Sequence, residues 1–219
     1  GRALPVATGM KMANHKMNII VIGGDGDGYG IGMAHLIHTC RRNFNITYIV
    51  QNNQIYGLTK GQTSPTSDYG FKTKSTPEGV IEMAARPLGI ALASGATFLA
   101  RGYAGDIMHL KGLIKQGIEH KGFALIDVLQ PCVTFNKVNT YQWYQERIHK
   151  LETEEGYDPT NRVMAFQKAE EWGDKINVGV YYKEDRSTYE DELSMIAEKP
   201  LAEQSIDNID ISDAMKFYL

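Results

Sequence analysis

The sequence contains only two cysteines, Cys40 and Cys132, among its 219 residues. Such cysteine use excludes a disulfide scaffold and is typical of a reducing compartment, so we expect a cytoplasmic protein. The sequence also lacks any apolar run near the roughly 18 residues that a membrane span requires. We therefore expect no membrane partner, and nucleic acid is not an expected partner either.

The remaining composition is that of an ordinary folded domain. Hydrophobic residues make up 42% and charged residues 22%, which excludes a disordered or fibrous chain. The length suffices for one α/β domain with its own core, or for a domain with an appendage. The net charge of -3 is uneven, because residues 184–219 hold ten acidic and three basic side chains. A solvated acidic tail explains this pattern, and the alternative is a mildly basic body that docks an acidic electron carrier.

The stretch from residue 18 to residue 59 organises the chain. Residues 18–23 form an apolar, β-branched run that stops in glycines, which predicts a buried strand. Apolar residues then recur at helical spacing over about residues 29–42, and residues 46–50 predict a second strand. This order predicts a strand, helix, strand unit.

Asp25 follows the first predicted strand, and Asn53 follows the second strand 28 residues later. In such a unit the crossover is right-handed and the strands are parallel, so both carboxyl ends reach the same edge of the sheet. We therefore expect Asp25 and Asn53 to meet there. A carboxylate, an amide oxygen and a nearby backbone carbonyl suit an octahedral Mg²⁺ that takes its other ligands from water and a diphosphate.

The glycines between the first strand and the helix support the same interpretation. Gly26, Gly28 and Gly30 lack the Cβ atoms that would hold backbone N–H groups away from phosphate oxygens. They also precede a helix N-terminus, whose partial positive charge favours an anion. The loop is therefore predicted to bind a diphosphate.

Other glycine-rich motifs do not fit this loop. A Walker A loop is absent, and the dinucleotide fingerprint GxGxxG fails because Tyr29, Ile31 or Met33 stands where its last glycine belongs. A calcium loop starting at Asp25 would place Leu36 at the position of its bidentate glutamate. A glycine-rich turn of an ordinary α/β protein is the alternative that stays open.

The pattern GDG followed by NN at this spacing resembles the diphosphate-binding motif of thiamine diphosphate enzymes. From Gly1 to about Tyr182, further segments are similar to the β subunit of 2-oxoacid:ferredoxin oxidoreductases. The similar segments are residues 1–9, 24–28, 56–62, 64–66, 100–103, 129–132 and 171–174.

The resemblance implies a set of cofactor residues. Those expected to bind thiamine diphosphate are Gly24, Asp25, Gly26, Asp27, Asn53, Ile55, Tyr56, Gly57, Leu58 and Thr59. Asp25, Asn53 and the carbonyl of Ile55 are the expected Mg²⁺ ligands. Lys60 is the candidate catalytic residue, expected to face the substrate or coenzyme A, and a surface lysine is the alternative.

The resemblance also implies an iron-sulfur cluster. Cys132 matches the most C-terminal of four ligands to a [4Fe-4S] cluster, whereas Cys40 lies on the apolar face of a predicted helix. Two cysteines cannot supply four ligands. The chain begins at Gly1 rather than Met, and we expect it to be truncated at its N-terminus, with Cys132 serving as a ligand only in the full-length protein.

The predicted fold is a doubly wound, mainly parallel α/β sheet with helices on both faces, the thiamine diphosphate-binding fold. Four strands support it, at residues 18–23, 46–50, 97–100 and 123–129. We expect a cofactor-binding domain over residues 1–150. A C-terminal extension over residues 151–219 should contain helices, an added strand at residues 177–182 and an acidic tail.

Six further helices are predicted along the chain, including those at residues 3–13, 160–172 and 188–198. One spans about residues 79–94 and should be kinked or split by Pro87. Another spans residues 106–121 with Asp106 as its cap, and residues 140–149 look helical.

The resemblance implies the oxidative decarboxylation of a 2-oxoacid to acyl-CoA and CO₂ with reduction of ferredoxin, and 2-oxoglutarate is favoured over pyruvate. The expected partners are ferredoxin, coenzyme A and an α subunit that carries the aminopyrimidine-activating domain, so the chain should be inactive alone and belong to a hetero-oligomer. A noncatalytic binding module of the same fold is one alternative. A dinucleotide-dependent oxidoreductase is another, although Gln51-Asn52 stands where its acidic ribose-binding residue belongs.

Overall fold

The computed structural model describes residues 1–207 and 209–218 and contains eight strands in this part of the chain. The strands are β1 (Ile19–Gly24), β2 (Ile46–Asn52), β3 (Ile55–Tyr56), β4 (Gln62–Thr63), β5 (Phe98–Tyr103), β6 (Ala124–Leu129), β7 (Ile148–Lys150) and β8 (Ile176–Lys183).

The described residues also form nine α-helices. They are α1 (Ala3–Ala13), α2 (Met33–Arg42), α3 (Pro87–Ala93), α4 (Ile107–Glu119), α5 (Tyr141–Gln145), α6 (Arg162–Glu170), α7 (Tyr189–Glu192), α8 (Ser194–Ala197) and α9 (Ser212–Met215). A π-helical turn (Gly26–Ile31) precedes α2, and short 3₁₀ turns occur at Leu151–Thr153 and Leu201–Glu203. In this part of the chain, no helix is both long enough and apolar enough to cross a membrane.

Six strands form one sheet in the order β1-β2-β6-β5-β8-β7, and β3 pairs with β4 in a separate hairpin. The neighbours β1 and β2, β2 and β6, and β5 and β6 are parallel, as are β7 and β8. Only the β5 and β8 pair in this sheet, among the described residues, is antiparallel. The mainly parallel sheet is therefore confirmed.

Apolar clusters cover both faces of the sheet. On one face Leu36 of α2 and Leu88 of α3 pack with Leu125 of β6. On the other face Leu113 of α4 packs with Ile126 of β6. Successive residues of a strand point to opposite faces, so the fully buried strand β6 serves both clusters. Helices on both faces, as predicted, hold the sheet and fix the edge at which its parallel strands end.

The helix predicted over residues 79–94 is wrong in its first half. Pro87 is the first residue of α3, where the missing N–H of proline costs nothing because first-turn N–H groups lack helical partners. Residues 79–86 instead form a loop, in which the Ala85 N–H donates to the Pro65 carbonyl at 2.8 Å. This loop contact holds the segment against the residues that follow β4.

The helix predicted over residues 140–149 is also too long, because α5 ends at Gln145 and β7 pairs with β8. The predicted cap of α4 is confirmed, since the Asp106 carboxylate accepts from the His109 N–H at 3.1 Å. The predicted added strand is confirmed as β8, which joins the main sheet. Residues 208 and 219 of the predicted C-terminal extension lie outside the described residues.

Candidate functional site

Polar residues collect at the carboxyl edge of the sheet. β1 ends at Gly24, which is paired with Gln51, and β2 ends at Asn52. Asp25 and Asn53 directly follow these two strands, so both lie at the edge where the sequence placed them. Asp25 and Asn52 are linked through Thr66, whose Oγ1 lies 2.7 Å from Asp25 Oδ2 and 2.9 Å from Asn52 Oδ1.

The carboxylate of Asp25 is buried with only 2% of the residue exposed. Its Oδ2 accepts hydrogen bonds from the hydroxyls of Ser64, at 2.6 Å, and Thr66, at 2.7 Å. Burial raises the pKa of Asp25, although these hydroxyl donors act in the opposite direction. No ion pair to Asp25 occurs within residues 1–207 and 209–218, so its charge lacks a cationic partner there.

Behind Asp25 lies a buried ion pair between neighbouring strands. Asp127 of β6 and Arg101 of β5 are partners in the strand register, and Arg101 Nε donates to Asp127 Oδ2 at 2.9 Å. Asp127 Oδ1 also accepts from Asn52 Nδ2 at 3.0 Å and from the Tyr29 hydroxyl at 3.1 Å. With three donors on its two oxygens, the buried Asp127 carboxylate is satisfied.

The guanidinium of Arg101 is enclosed by aromatic rings. Its central carbon lies 5.3 Å from the ring centroid of Trp172 and 5.5 Å from that of Tyr181. Its Nη1 also donates to the Tyr181 hydroxyl at 3.2 Å. Burial disfavours the charged guanidinium, but attraction to Tyr181 and Asp127 outweighs it and raises the pKa of Arg101. The arginine is therefore a fixed cation that holds the Asp127 carboxylate in place.

A second set of hydrogen bonds ties the backbone of Asn53 to Trp172. The Asn53 carbonyl accepts from Asn136 Nδ2 at 3.3 Å, and Asn136 Nδ2 also reaches Asn139 Oδ1 at 3.0 Å. Asn139 Nδ2 donates to Asp68 at 3.3 Å, and Trp172 Nε1 donates to the other oxygen of Asp68 at 2.8 Å. The loop after β2 is thus anchored by side chains from three other segments of the chain.

Gln54 holds this loop in an unusual backbone conformation. Its φ of 57° lies in the left-handed region, which costs energy for a residue other than glycine. Its buried side chain compensates, because Nε2 donates to the Thr66 carbonyl at 2.8 Å and Oε1 accepts from the Tyr144 hydroxyl at 2.6 Å. The strained turn directs the backbone of Asn53 and Ile55 towards the edge of the sheet.

The glycines of the loop have a second use that the sequence did not reveal. A Cβ atom on Gly26 would lie 2.1 Å from the Tyr56 ring, and one on Gly28 would lie 2.2 Å from the Tyr48 hydroxyl. The Tyr56 hydroxyl donates to the Gly26 carbonyl at 3.1 Å. Both glycines therefore leave room for tyrosine rings, in addition to any approach to phosphate.

The other predicted cofactor residues lie around this edge. Gly24 ends β1, and Asp27 lies in the π-helical turn, next to the backbone nitrogen of Gly1. Ile55 is buried in β3, while Leu58, Thr59 and Lys60 are exposed in the turn between β3 and β4. This turn is closed by a bond from the Lys60 N–H to the Gly57 carbonyl at 3.1 Å.

Lys60 has a φ of 75°, so it occupies the left-handed corner of this turn, and Gly61 follows with a φ of 104°. A positive φ in a residue other than glycine often marks a functional turn. Lys60 is thus exposed at the end of the turn between β3 and β4, next to the predicted cofactor residues. Its role stays a prediction.

Cys132 lies beside the predicted cofactor loop, because its Sγ is 3.8 Å from the position of a Cβ on Gly57. Cys40, in contrast, is buried in α2, as expected of a packing residue. The chain contains no third cysteine. The residues present therefore do not fit a [4Fe-4S] cluster, and the ligand role of Cys132 stays a prediction for a longer chain.

The residues at the edge do fit a single Mg²⁺. Asp25 offers a buried carboxylate without a cationic partner in the described structure, and a divalent cation would compensate its charge. Asn53 Oδ1 accepts from the Ile55 N–H at 3.1 Å and keeps a second lone pair for a metal. Within the described residues no cluster of three or more His, Cys, Asp or Glu could hold a metal. An amide and a backbone carbonyl would complete the protein ligands, and this ligand set stays a prediction.

Sequence reasoning missed the support behind this site. Asn52, Asp127, Tyr29 and Tyr181 were not predicted as site residues, although they form the buried network. A signal was present at Asp127, the one charged residue in an otherwise apolar strand, because a buried carboxylate requires a partner. Its partner Arg101 lies 26 residues away, and only the strand order brings the two together.

Comparison with known proteins agrees with this geometry. Residues 1–128 match the family described as thiamine pyrophosphate enzyme, C-terminal TPP binding domain. Residues 132–198 match the family that describes the C-terminal part of the pyruvate ferredoxin oxidoreductase beta subunit. The chain therefore contains the thiamine pyrophosphate-binding domain of this class of enzymes.

The relatives define the family more closely. The chain is 45% identical to the 2-oxoacid:ferredoxin oxidoreductase subunit beta of Saccharolobus solfataricus, over 99% of this chain and 73% of the relative. It is 47% identical to the 2-oxoacid:ferredoxin oxidoreductase 1, subunit beta, of Aeropyrum pernix, over 89% of this chain and 64% of the relative. The chain belongs to the family of 2-oxoacid:ferredoxin oxidoreductase β subunits.

A solved structure has the same fold. The 2-oxoglutarate:ferredoxin oxidoreductase from Magnetococcus marinus, with 2-oxoglutarate, coenzyme A and succinyl-CoA bound, superimposes with a TM-score of 0.87 at 36% identity. The match covers 100% of this chain and 73% of that chain.

Proposed function

We propose that this chain binds Mg²⁺ and thiamine diphosphate at the carboxyl edge of its sheet. It then acts as the cofactor-binding subunit in the oxidative decarboxylation of a 2-oxoacid to acyl-CoA and CO₂, with reduction of ferredoxin. The observation that carries this proposal is Asp25, a buried carboxylate with no ion pair in the described structure, at the end of β1. Its position next to the end of β2 is where a diphosphate and its metal require an anionic ligand.

Asp25, Asn53 and the carbonyl of Ile55 would hold the metal. The loops at residues 24–27 and 55–59 would hold the cofactor. Thiamine diphosphate, when bound, supplies a stabilised carbanion for reaction with the 2-oxoacid carbonyl. The chain itself supplies position and electrostatics, since the fixed network behind Asp25 orients its carboxylate. Lys60, at the exposed corner of the cofactor loop, would face the substrate or coenzyme A.

We further propose 2-oxoglutarate as the substrate, favoured over pyruvate. The support is the similarity to the Magnetococcus marinus enzyme, whose solved structure has 2-oxoglutarate, coenzyme A and succinyl-CoA bound. Turnover measured with each 2-oxoacid in the assembled enzyme tests this choice. Higher kcat/KM for pyruvate would contradict it.

The proposed assembly adds to this chain an α subunit with the aminopyrimidine-activating domain, and it passes electrons to ferredoxin in the cytoplasm. Cys132 would be one ligand of a [4Fe-4S] cluster, whose four ligands the two cysteines of the given sequence cannot supply. We also propose the division into a cofactor-binding part, residues 1–150, and a C-terminal extension, residues 151–219. The separate family matches to residues 1–128 and 132–198 support a division in this part of the chain.

Replacement of Asp25 by alanine tests the cofactor site. Calorimetry on the assembled enzyme should show that Asp25→Ala loses thiamine diphosphate binding in the presence of Mg²⁺, because the diphosphate then lacks its metal bridge. Glu119→Ala, which removes an exposed carboxylate of α4, is the matched control and should bind normally. Unchanged cofactor affinity in Asp25→Ala would overturn the assignment. Intact binding without turnover in the wild type would favour the noncatalytic module.

A further inference from the structure

Ser64 and Thr66 both donate to the same oxygen of Asp25. The distances to Oδ2 are 2.6 Å from Ser64 Oγ and 2.7 Å from Thr66 Oγ1. Among the described residues, no side chain donates to the other oxygen, Oδ1. The side chains around Asp25 therefore bond only one of its two carboxylate oxygens, while the backbone N–H groups of Gly26 and Asp25 also contribute hydrogen bonds to the carboxylate.

The segment that carries the two hydroxyls is held on each side. The Ser64 N–H donates to Ser67 Oγ at 2.9 Å, and Ser67 Oγ donates to the Gln54 carbonyl at 2.6 Å. The Thr66 carbonyl accepts from Gln54 Nε2, and the Pro65 carbonyl accepts from the Ala85 N–H. The hydroxyls therefore cannot drift away from Asp25 without breaking the loop.

The orientation of Asn52 adds a constraint on Thr66. Asp127 is already engaged by Arg101 and accepts from Asn52, so the amide nitrogen of Asn52 must face Asp127. The amide oxygen of Asn52 must then face Thr66, at 2.9 Å from its hydroxyl oxygen, so the single hydroxyl proton of Thr66 is shared between Asp25 Oδ2, the nearer acceptor, and Asn52 Oδ1. A continuous set of contacts thus connects the Arg101–Asp127 ion pair to the Asp25 carboxylate. The connecting side chains are those of Asn52 and Thr66.

We propose that Ser64 and Thr66 are positioning residues that make Asp25 a one-oxygen ligand and thereby select a small divalent cation over Ca²⁺. The proposal rests on the proposed function, since it concerns the metal that accompanies the diphosphate. The two donors occupy Oδ2 and leave Oδ1 for the metal. Mg²⁺ and Mn²⁺ accept single carboxylate oxygens in octahedral sites, whereas Ca²⁺ takes six to eight oxygens at longer distances and is often bound by both oxygens of a carboxylate.

The test compares thiamine diphosphate binding supported by Mg²⁺ with binding supported by Ca²⁺, measured by calorimetry on the enzyme assembled with its partner subunit. Thr66→Val removes the hydroxyl and keeps the side-chain shape. We expect it to weaken Mg²⁺-supported affinity about tenfold, the size of one lost hydrogen bond to a charged group, and to change Ca²⁺-supported affinity less than threefold. Thr66→Ser, which keeps the hydroxyl, should restore the wild-type ratio.

Thr47→Val is the matched control. Thr47 lies on β2, and its buried hydroxyl donates to the Gly117 carbonyl of α4 at 3.0 Å. Thr47→Val therefore removes one comparable buried hydrogen bond that does not involve Asp25. This variant should keep the wild-type ratio of Mg²⁺ to Ca²⁺ support. A purely structural effect of the lost hydroxyl would lower binding with both metals equally.

Ser64→Ala removes the other donor and provides a second variant should Thr66→Val fail to fold. It should shift the metal ratio in the same direction. Equal losses with both metals in both variants, or an unchanged ratio, would overturn the inference while leaving the cofactor site in place. A wild-type enzyme that binds thiamine diphosphate with neither metal would instead contradict the proposed function itself.

Discussion

At the scale of single residues, the buried carboxylate of Asp25 lowers the stability of the fold when no metal is bound. Its pKa is raised because burial disfavours the ionised carboxylate. A group with a raised pKa in the folded state contributes stability at low pH, and that contribution is lost as the pH rises through the folded pKa. At neutral pH without metal, the chain therefore holds an anion that its fold does not fully compensate, as is common at binding sites.

Asp25→Asn should accordingly raise the melting temperature of the metal-free chain at pH 7. The amide oxygen still accepts from Ser64 and Thr66, but no buried charge is left. The advantage of the variant should shrink as the pH falls towards 4, because Asp25 then takes up a proton in the wild type. Thermal melts at several pH values check this, and a lower melting temperature for Asp25→Asn at pH 7 would contradict it.

Gly26 supports a second prediction at this scale. A Cβ there would lie 2.1 Å from the Tyr56 ring, so Gly26→Ala must displace the ring. We expect a loss of about 1–3 kcal/mol in unfolding free energy from overpacking, together with weaker cofactor binding. Gly9→Ala is the control, since nothing lies within 4 Å of its Cβ position in α1, and it should stabilise the chain by roughly 0.5–1 kcal/mol. Denaturant titration of both variants measures the difference, and equal effects would refute the close-contact explanation.

At the scale of elements, periodicity predicted the sheet well because its strands are apolar and bounded by turn residues. All four predicted parallel strands are present as β1, β2, β5 and β6. The helix predicted over residues 79–94 failed where a distant contact decided the structure, since the Ala85 N–H bonds the Pro65 carbonyl. The strand β7 has three residues and exists through its pairing with β8, so no local pattern could reveal it.

The residues of the site also separate into those that local sequence patterns could place and those that depend on distant contacts. Asp25 and Asn53 could be placed from sequence because strand order alone brings the carboxyl ends of parallel neighbours together. The partners of Asp25 could not be placed, because Ser64 and Thr66 belong to a loop whose path is set by Gln54 and Ala85. Side-chain networks of this kind depend on tertiary geometry that propensity does not encode.

An ionic cluster joins the C-terminal elements to one another. The Glu154 carboxylate lies 2.6 Å from Lys168 of α6 and 3.1 Å from Lys175, which precedes β8. Hydrogen bonding to Lys168 lowers the pKa of Glu154 to about 2. A group with a lowered pKa stabilises the fold above its unfolded pKa, and that stability is lost as the pH falls.

Glu154→Gln should therefore reduce the unfolding free energy by about 1 kcal/mol at pH 7, the upper end for a surface pair because two lysines are involved. The difference from wild type should narrow as the pH falls from 5 to 3. Glu119→Gln breaks the more exposed pair with Lys115, at 3.6 Å, and should change stability very little. Denaturant titrations at pH 7, 5 and 3 test this. A difference in unfolding free energy between Glu154→Gln and the wild type that stays constant across these pH values would exclude the ionic explanation.

At the scale of the whole molecule, segments far apart in the chain converge on one edge. The network behind Asp25 includes or contacts residues from four parts of the chain, namely Ser64–Thr66, Arg101, Asp127 and Trp172. Contacts from several distant segments thus support this edge. Segments next to this edge expose apolar side chains: Leu58, between β3 and β4, is 99% exposed, and Ile31, at the end of the π-helical turn, is 75% exposed. Exposed apolar side chains beside a rigid polar site are typical of a surface that becomes buried against another protein.

The final prediction is that a partner subunit binds over Leu58 and Ile31. Replacing both by serine should weaken association with the partner at least tenfold, because the loss of two buried aliphatic side chains removes roughly 1.5–3 kcal/mol each. Sedimentation of the two subunits without cofactor separates this effect from cofactor binding. Ile118 near the end of α4 is also exposed, at 40%, but α4 packs on the face of the sheet opposite to α2, so Ile118→Ser is the control and should associate normally. The isolated chain should show no turnover of 2-oxoacids with a low-potential electron acceptor. Turnover by the isolated chain, or unchanged association of the double variant, would show that this face does not need a partner.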